Sequence, residues 1–172
     1  GLLQAFAGLL GAVERVGAWL AAVQTLLIAL IPKSGGGCRP IGLLPTLVRV
    51  WEKVRKPIVA KWRATIHRSY NYAGKGMSAQ VAAWKQALRA EVAAASGGFS
   101  IAGLVDLVKA FEMVRLDLVW RVGLKLHCPP DILRLELEAF AMARRLTMRG
   151  VVADSVWTLS AIVAGGAFAT DL

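Results

Sequence analysis

Val105-Asp-Leu-Val-Lys-Ala-Phe-Glu112 is the stretch on which the fold turns. It closes an apolar, glycine-flanked run from Phe99 to Val105 and places Asp106 at its end, with Phe111 five residues further on. A short apolar run of this kind predicts a buried strand that would deliver a carboxylate at its C-terminal tip. The same aspartate also suits a helix N-cap ahead of Leu107 to Trp120, accepting backbone N–H bonds. This block alone leaves both readings open, because short motifs match by chance.

Upstream, Ile31-Pro-Lys-Ser34, three glycines at 35 to 37, Arg39-Pro-Ile-Gly-Leu-Leu-Pro45 and Arg49 make a second block. Lys33 and Arg39 flank a flexible loop, so two cations and unhindered backbone N–H groups can gather around a phosphate. The plainer alternative is a hairpin turn whose Gly and Pro residues only reverse the chain. A third block, Asn71-Tyr-Ala-Gly-Lys-Gly-Met-Ser78, leads into a helix containing Trp84. Taken singly, it is ordinary helix initiation with Ser78 as N-cap. A fourth, Ala161 to Thr170, carries Gly165 and Gly166.

In order and separation these blocks resemble the reverse-transcriptase domain of non-LTR, LINE-like retrotransposons, over nearly the whole chain. In that family a metal-binding aspartate is followed by Lys-Ala-Phe and a second acid, which Asp106, Lys109, Ala110, Phe111 and Glu112 match in order. The Ile-Pro-Lys and Arg-Pro-Ile sequences resemble its fingers block. The resemblance implies an RNA-directed DNA polymerase that adds deoxynucleotides to a primer 3′ end by two-metal phosphoryl transfer. RNA template, DNA primer and deoxynucleoside triphosphates would be its partners. It implies that Asp106 is catalytic and binds two Mg2+ ions, with the Leu107 carbonyl as a further ligand. Lys33 and Arg39 would face the nucleotide or template, Lys109 would lie near the triphosphate, and Gly166 would support the templating base pair. Phe111 would press on the sugar and exclude a ribose 2′-hydroxyl. Its other reading is a core aromatic on the face of Leu107 and Val114. Glu112 is expected to be structural.

The chain departs from the family pattern in two places. Gly165 stands where a glutamine is usual, and the next family block carries two adjacent aspartates, whereas no two acids are adjacent here. One carboxylate does not build a two-metal site. The expectation is therefore the front half of a polymerase, inactive alone.

Charge agrees with a nucleic-acid partner. Twenty-one Lys and Arg against eleven Asp and Glu leave +10, and from Lys33 to Arg89 there are twelve basic residues and a single acid, Glu52. A field of that sign attracts phosphate polyanions and makes binding salt-dependent. An anionic membrane surface or a solubilising helical face would use the same charge. The alternatives are thus a degenerate, non-catalytic nucleic-acid-binding relic and a basic membrane-associated protein. Val16 to Pro32 has no charge, but its seventeen residues sit at the lower edge for crossing a bilayer, so stable insertion is not expected. Cys38 and Cys128 have no metal-ligand company and form no disulfide framework, which favours an intracellular site, nucleus or cytoplasm, over secretion. His67 and His127 are isolated, with no His-based acid–base pair in view.

The expected fold class is α+β, an incomplete right-hand polymerase. Residues 1–97 would be a helix-rich, fingers-like lobe with the basic Gly loop, and 98–172 the first part of the palm sheet, divided at Ser96-Gly-Gly98. Periodicity predicts a helix over Leu2 to Ala18, a buried strand over Thr25 to Ile31, and a helix over Pro45 to Ile66 bent or divided at Pro57. In the last, Leu47, Val50, Trp51, Val54, Ile58 and Trp62 form the buried stripe, so Trp51 and Trp62 are core residues rather than base-stacking platforms. Further helices are predicted at Ser78 to Ala95, with Val81, Trp84, Leu88 and Val92 on one face, and at Leu116 to Leu126. Another starts at Pro129-Pro-Asp131, with a stripe of Ile132, Leu135, Ala139, Met142 and Leu146. Two short strands are expected within Thr147 to Ser160.

Overall fold

The computed structural model describes residues 1–72, 76–158, 160–163 and 166–169. Gly74 and Lys75 of the third block and Gly165 of the fourth lie outside them. Two compact units are formed, one from Gly1–Thr65 with Lys109–Leu172 and one from Ile66–Val108. The division expected at residues 97/98 falls inside the second unit.

The fold class is α+β: five α-helices and a mixed four-stranded sheet among the described residues. In the first unit, helix α1 (Leu2–Val16) leads through a 3-10 turn (Ala21–Val23) into β1 (Thr25–Pro32), which pairs antiparallel with β2 (Cys38–Leu43). Strand β3 (Ala143–Met148) runs parallel to β1, and β4 (Val151–Val156) returns antiparallel to β3, giving the order β2-β1-β3-β4. The alternation of side-chain direction along β1 buries Leu26 and Ile28 on one face, while Leu27 stays partly open on the other. The uncharged run Val16 to Pro32 is thus divided among the end of α1, the 3-10 turn and β1. No helix among the described residues is long and apolar enough to cross a membrane.

Helix α2 (Thr46–Ile66) is continuous through Pro57. Pro57 and Lys53, whose carbonyl loses its helical donor, are both exposed, so water can replace the missing bond. Buried residues on both sides of the proline, Val48, Trp51, Val59 and Trp62, hold the two halves in line. The buried face is rotated from the expected one: Val54 and Ile58 are exposed, whereas Val48, Glu52 and Val59 are inside. Trp51 and Trp62 are core residues, as expected, and their indole N–H groups are used internally. Trp51 donates to Glu14 at 2.8 Å and Trp62 to the Leu126 carbonyl at 2.8 Å. Trp51 also meets Trp19 and Phe168 edge-on, at 5.4 and 6.1 Å between ring centroids.

Helices α4 (Leu116–Lys125) and α5 (Pro130–Phe140) complete this unit. Ile132, Leu135, Ala139 and Met142 are buried as the spacing predicts, but α5 stops at Phe140 and Leu146 lies in β3. The β3–β4 hairpin begins earlier than expected because its two-residue turn is Arg149-Gly150.

In the second unit, α3 (Ala79–Ala95) starts at Ser78, whose Oγ accepts from the Val81 N–H at 3.3 Å. Trp84, Leu88 and Val92 recur at helical spacing, but all three are exposed. The strand expected over Phe99 to Val105 is not formed. Those residues are irregular and Leu104 is fully exposed at 100%. Among the described residues no strand pairs with them, and an unpaired strand leaves its N–H and C=O groups to water, with no gain from burial. The N-cap alternative fails as well: residues 108–113 form turns, and α4 begins only at Leu116 with Arg115 as N-cap.

Candidate nucleic-acid interface

The second sequence block is a hairpin. Pro32 pairs with Cys38, and the Lys33–Gly37 loop between them is closed by the Lys33 N–H donating to the Gly37 carbonyl at 3.1 Å. Gly36 and Gly37 take φ of +88° and +74°, which residues with a side chain adopt rarely, so the reversal needs glycine there. Arg39 sits on β2 opposite Ile31, bringing its guanidinium-bearing side chain to the same end of the hairpin as Lys33. Between them is an open cleft of about 480 Å³ lined by Ile31, Pro32, Lys33, Ser34, Gly35 and Arg39. Two cations and no acid line it. The hairpin reading holds, and the two cations lie at the same end of that hairpin.

Phe111 and Glu112 belong to a second, smaller cavity of about 60 Å³, shared with Pro40 and Gly42 of β2, Arg144 of β3 and residues 161–163. The backbone assembles it. The Ile162 N–H donates to the Phe111 carbonyl at 3.0 Å, the Ala161 N–H to Val114 at 2.9 Å, and Arg115 bridges Ser160. Gly42 lets Val163 sit close: a Cβ there would fall 2.2 Å from Val163 Cγ1, and one of the two would have to move. Three sequence blocks, those of Arg39, Lys109 and Ala161, thus converge at one side of the sheet. Phe111 is 38% exposed beside this cavity, neither sealed in the core nor fully open. Lys109 is exposed in a left-handed conformation, φ +51°, and its carbonyl accepts from the Met113 N–H at 3.0 Å. An L-residue rarely adopts that region unless its surroundings enforce it.

Gly166 is packed inward. Its N–H donates to the Val163 carbonyl at 3.0 Å, and a Cβ there would stand 3.2 Å from Glu52 Oε1. Asp106 and Leu107 belong to the second unit and are exposed, Leu107 at 71%. Among the described residues no group of three or more His, Cys, Asp or Glu is placed to hold a metal ion. A single exposed carboxylate does not meet the oxygen-rich demand of a two-magnesium centre.

Sequence reasoning missed two acids and one cation. Glu52 and Glu136 are buried, at 2% and 0% exposure. Burial first, and then the charge of Glu52, push the Glu136 carboxyl well above the usual range. Glu52 is also raised by burial, against the opposing pull of the Ala167 N–H, of a side-chain hydrogen bond with Glu136 and of Arg49. The signal was present in the spacing: Ile132, Glu136 and Phe140 are four residues apart on α5, so an acid sits in the middle of the apolar stripe. Arg144 is the cation; its Nη2 donates to the carbonyls of Phe140 and Ala161 at 3.1 and 3.0 Å.

No protein-family model matches this chain, and no curated protein matches it either.

Proposed function

We propose that this chain is the nucleic-acid-handling front part of an RNA-directed DNA polymerase of the LINE type, an intracellular protein that grips an RNA template and DNA primer. The observation that carries the proposal is the Lys33–Arg39 hairpin cleft, cationic and free of lining acids. Phosphate oxygens are the ligands that such a cleft suits, through charge-assisted hydrogen bonds and loop amides. The single acid between Lys33 and Arg89, Glu52, is withdrawn into the core, which leaves the exposed charge of α2 wholly positive. In this reading Lys33 and Arg39 hold template or triphosphate, Lys109 lies near the triphosphate, Phe111 presses on the sugar, and Gly166 supports the templating pair. Magnesium belongs to the same reading, with Asp106 and the Leu107 carbonyl as its first ligands. The described residues do not complete that centre, so the binding function stands on the cationic residues alone.

The test is fluorescence anisotropy with a labelled RNA–DNA template–primer over a range of salt. Affinity should fall linearly on a log–log scale, and the double variant Lys33→Ala/Arg39→Ala should bind more weakly with a slope reduced by about two. Equal slopes for the double variant and the parent protein would refute the assignment of the cleft. Retention on anionic vesicles without duplex binding would favour the membrane-associated alternative.

A further inference from the structure

We propose that Glu52 and Glu136 form a proton-sharing latch that holds the Gly166–Ala169 turn against α2, and that loss of the shared proton releases this turn. The inference is independent of the polymerase reading. Three observations in the first unit carry it. Glu52 Oε1 accepts a hydrogen bond from the Ala167 N–H at 2.9 Å, tying the turn to the helix. The approach is close: a Cβ at residue 166 would stand 3.2 Å from the Glu52 oxygen, which would have to give by a few tenths of an ångström. Glu136 is fully buried, and among the described residues no N–H or hydroxyl donor reaches either of its carboxyl oxygens.

A carboxylate deprived of both water and donors is not tolerated as an isolated charge. Glu52 is the carboxyl that acts on Glu136, through its charge and through a side-chain interaction between the two, and a single proton between them satisfies both. Glu136 donates its O–H, while Glu52 accepts it together with the Ala167 N–H. Arginines of α2, α5 and β3 have other partners. Arg49 acts on Glu52. Arg55 is paired with the Glu14 carboxylate, Arg134 donates to the Glu14 carbonyl, and Arg144 donates to Phe140 and Ala161. Among the described residues, what acts on Glu136 is its burial and Glu52, and no cation.

The sign follows from linkage. A carboxyl whose proton is held more tightly in the folded protein contributes stability that is complete below its ordinary range and is lost as pH rises through the raised value. When the proton leaves, two like charges must be hydrated. Helices α2 and α5 are continuous, whereas the turn is held by the Ala167 bond and by Phe168 against Trp51. The turn is the part that opens.

Amide hydrogen exchange of the whole chain, corrected for its intrinsic pH dependence, reads the latch directly. From about pH 5 to about pH 9 the protection of the Ala167 amide should fall by about tenfold or more, one pKa unit being tenfold in the equilibrium. Glu136→Gln supplies a permanent N–H donor to Glu52 and should abolish that dependence. Carbon-13 NMR of the glutamate carboxyls in the unmodified protein provides a reading that does not depend on the variant folding. One carboxyl of the pair should titrate above the ordinary range, at the same pH as the Ala167 amide responds. Flat protection across the range, the same profile in Glu136→Gln, or an ordinary titration of Glu136 would each overturn the proposal.

Discussion

Gly42→Ala and Val163→Ala, made singly and together, test whether residues 160–163 are seated on β2 as the shared cavity requires. Gly42 does not have a positive φ, so alanine meets no backbone strain, and its whole effect is steric. Its Cβ would stand 2.2 Å from Val163 Cγ1, against an ordinary carbon contact of about 3.5–4.0 Å, so something must move by over an ångström. Val163 is 4% exposed and β-branched, and its χ1 does not swing aside freely. Overpacking of this kind costs about 1–3 kcal/mol, partly offset by about 0.4–1 kcal/mol from the stiffer unfolded chain. Val163→Ala alone removes two buried methyl groups, about 1.5–3 kcal/mol with the cavity left behind. In the double variant the offending methyl is gone and the new one fills the space, so the sum should be undershot by about 1–2 kcal/mol. Urea unfolding measures this: with a slope of about 2 kcal/mol/M, the midpoint of the double variant should lie about 0.5–1 M above the additive expectation. Additivity within about 0.5 kcal/mol would mean that the two positions are not in contact, and the cavity beside Phe111 would lose its wall.

Three further outcomes follow from the core. Glu14→Gln should cost about 1 kcal/mol in chemical denaturation, because Glu14 accepts from both Arg55 and Trp51 at a partly exposed site. The Arg55 guanidinium holds the Glu14 carboxyl below its usual range, so this contribution is complete above that range and fades as pH falls through the lowered value; Glu14→Gln should flatten the acid limb. Trp51→Ala removes a 0%-exposed indole and should cost about 3–5 kcal/mol, a large share of the stability of a domain this size, seen as a collapse of the circular-dichroism melting transition. Cys38 is exposed and should alkylate readily in the native protein. Burial pushes the Cys128 thiol up to about 11, so mass spectrometry at mild alkaline pH should find it modified only after unfolding.

Local pattern made the elements legible. Helical apolar spacing located α1, α2 and α5, an apolar run located β1, local pattern located α4, and Ser78 marked the start of α3, because these signals act between residues close in sequence. The glycine run with its flanking cations placed the hairpin. The run Phe99 to Val105 shows the limit of such signals: its composition suits a strand, but a strand exists only where another pairs with it, and nothing in the run itself states that. The rotated face of α2 has the same origin. Its apolar residues permit two stripes, and the chosen one admits Glu52 because the Ala167 N–H and Glu136 are there to receive it.

The amino-acid sequence by itself determined the helices, the first strand, the cationic loop and the excess of positive charge, since each depends on neighbours along the chain. Only the tertiary structure decided that Arg39-Pro-Ile-Gly, Lys-Ala-Phe-Glu112 and Ala161–Val163 meet at one side of a mixed sheet, and that two acids lie in the core. Those are contacts between residues far apart in sequence, and burying a carboxyl is costly unless a distant partner is brought to it.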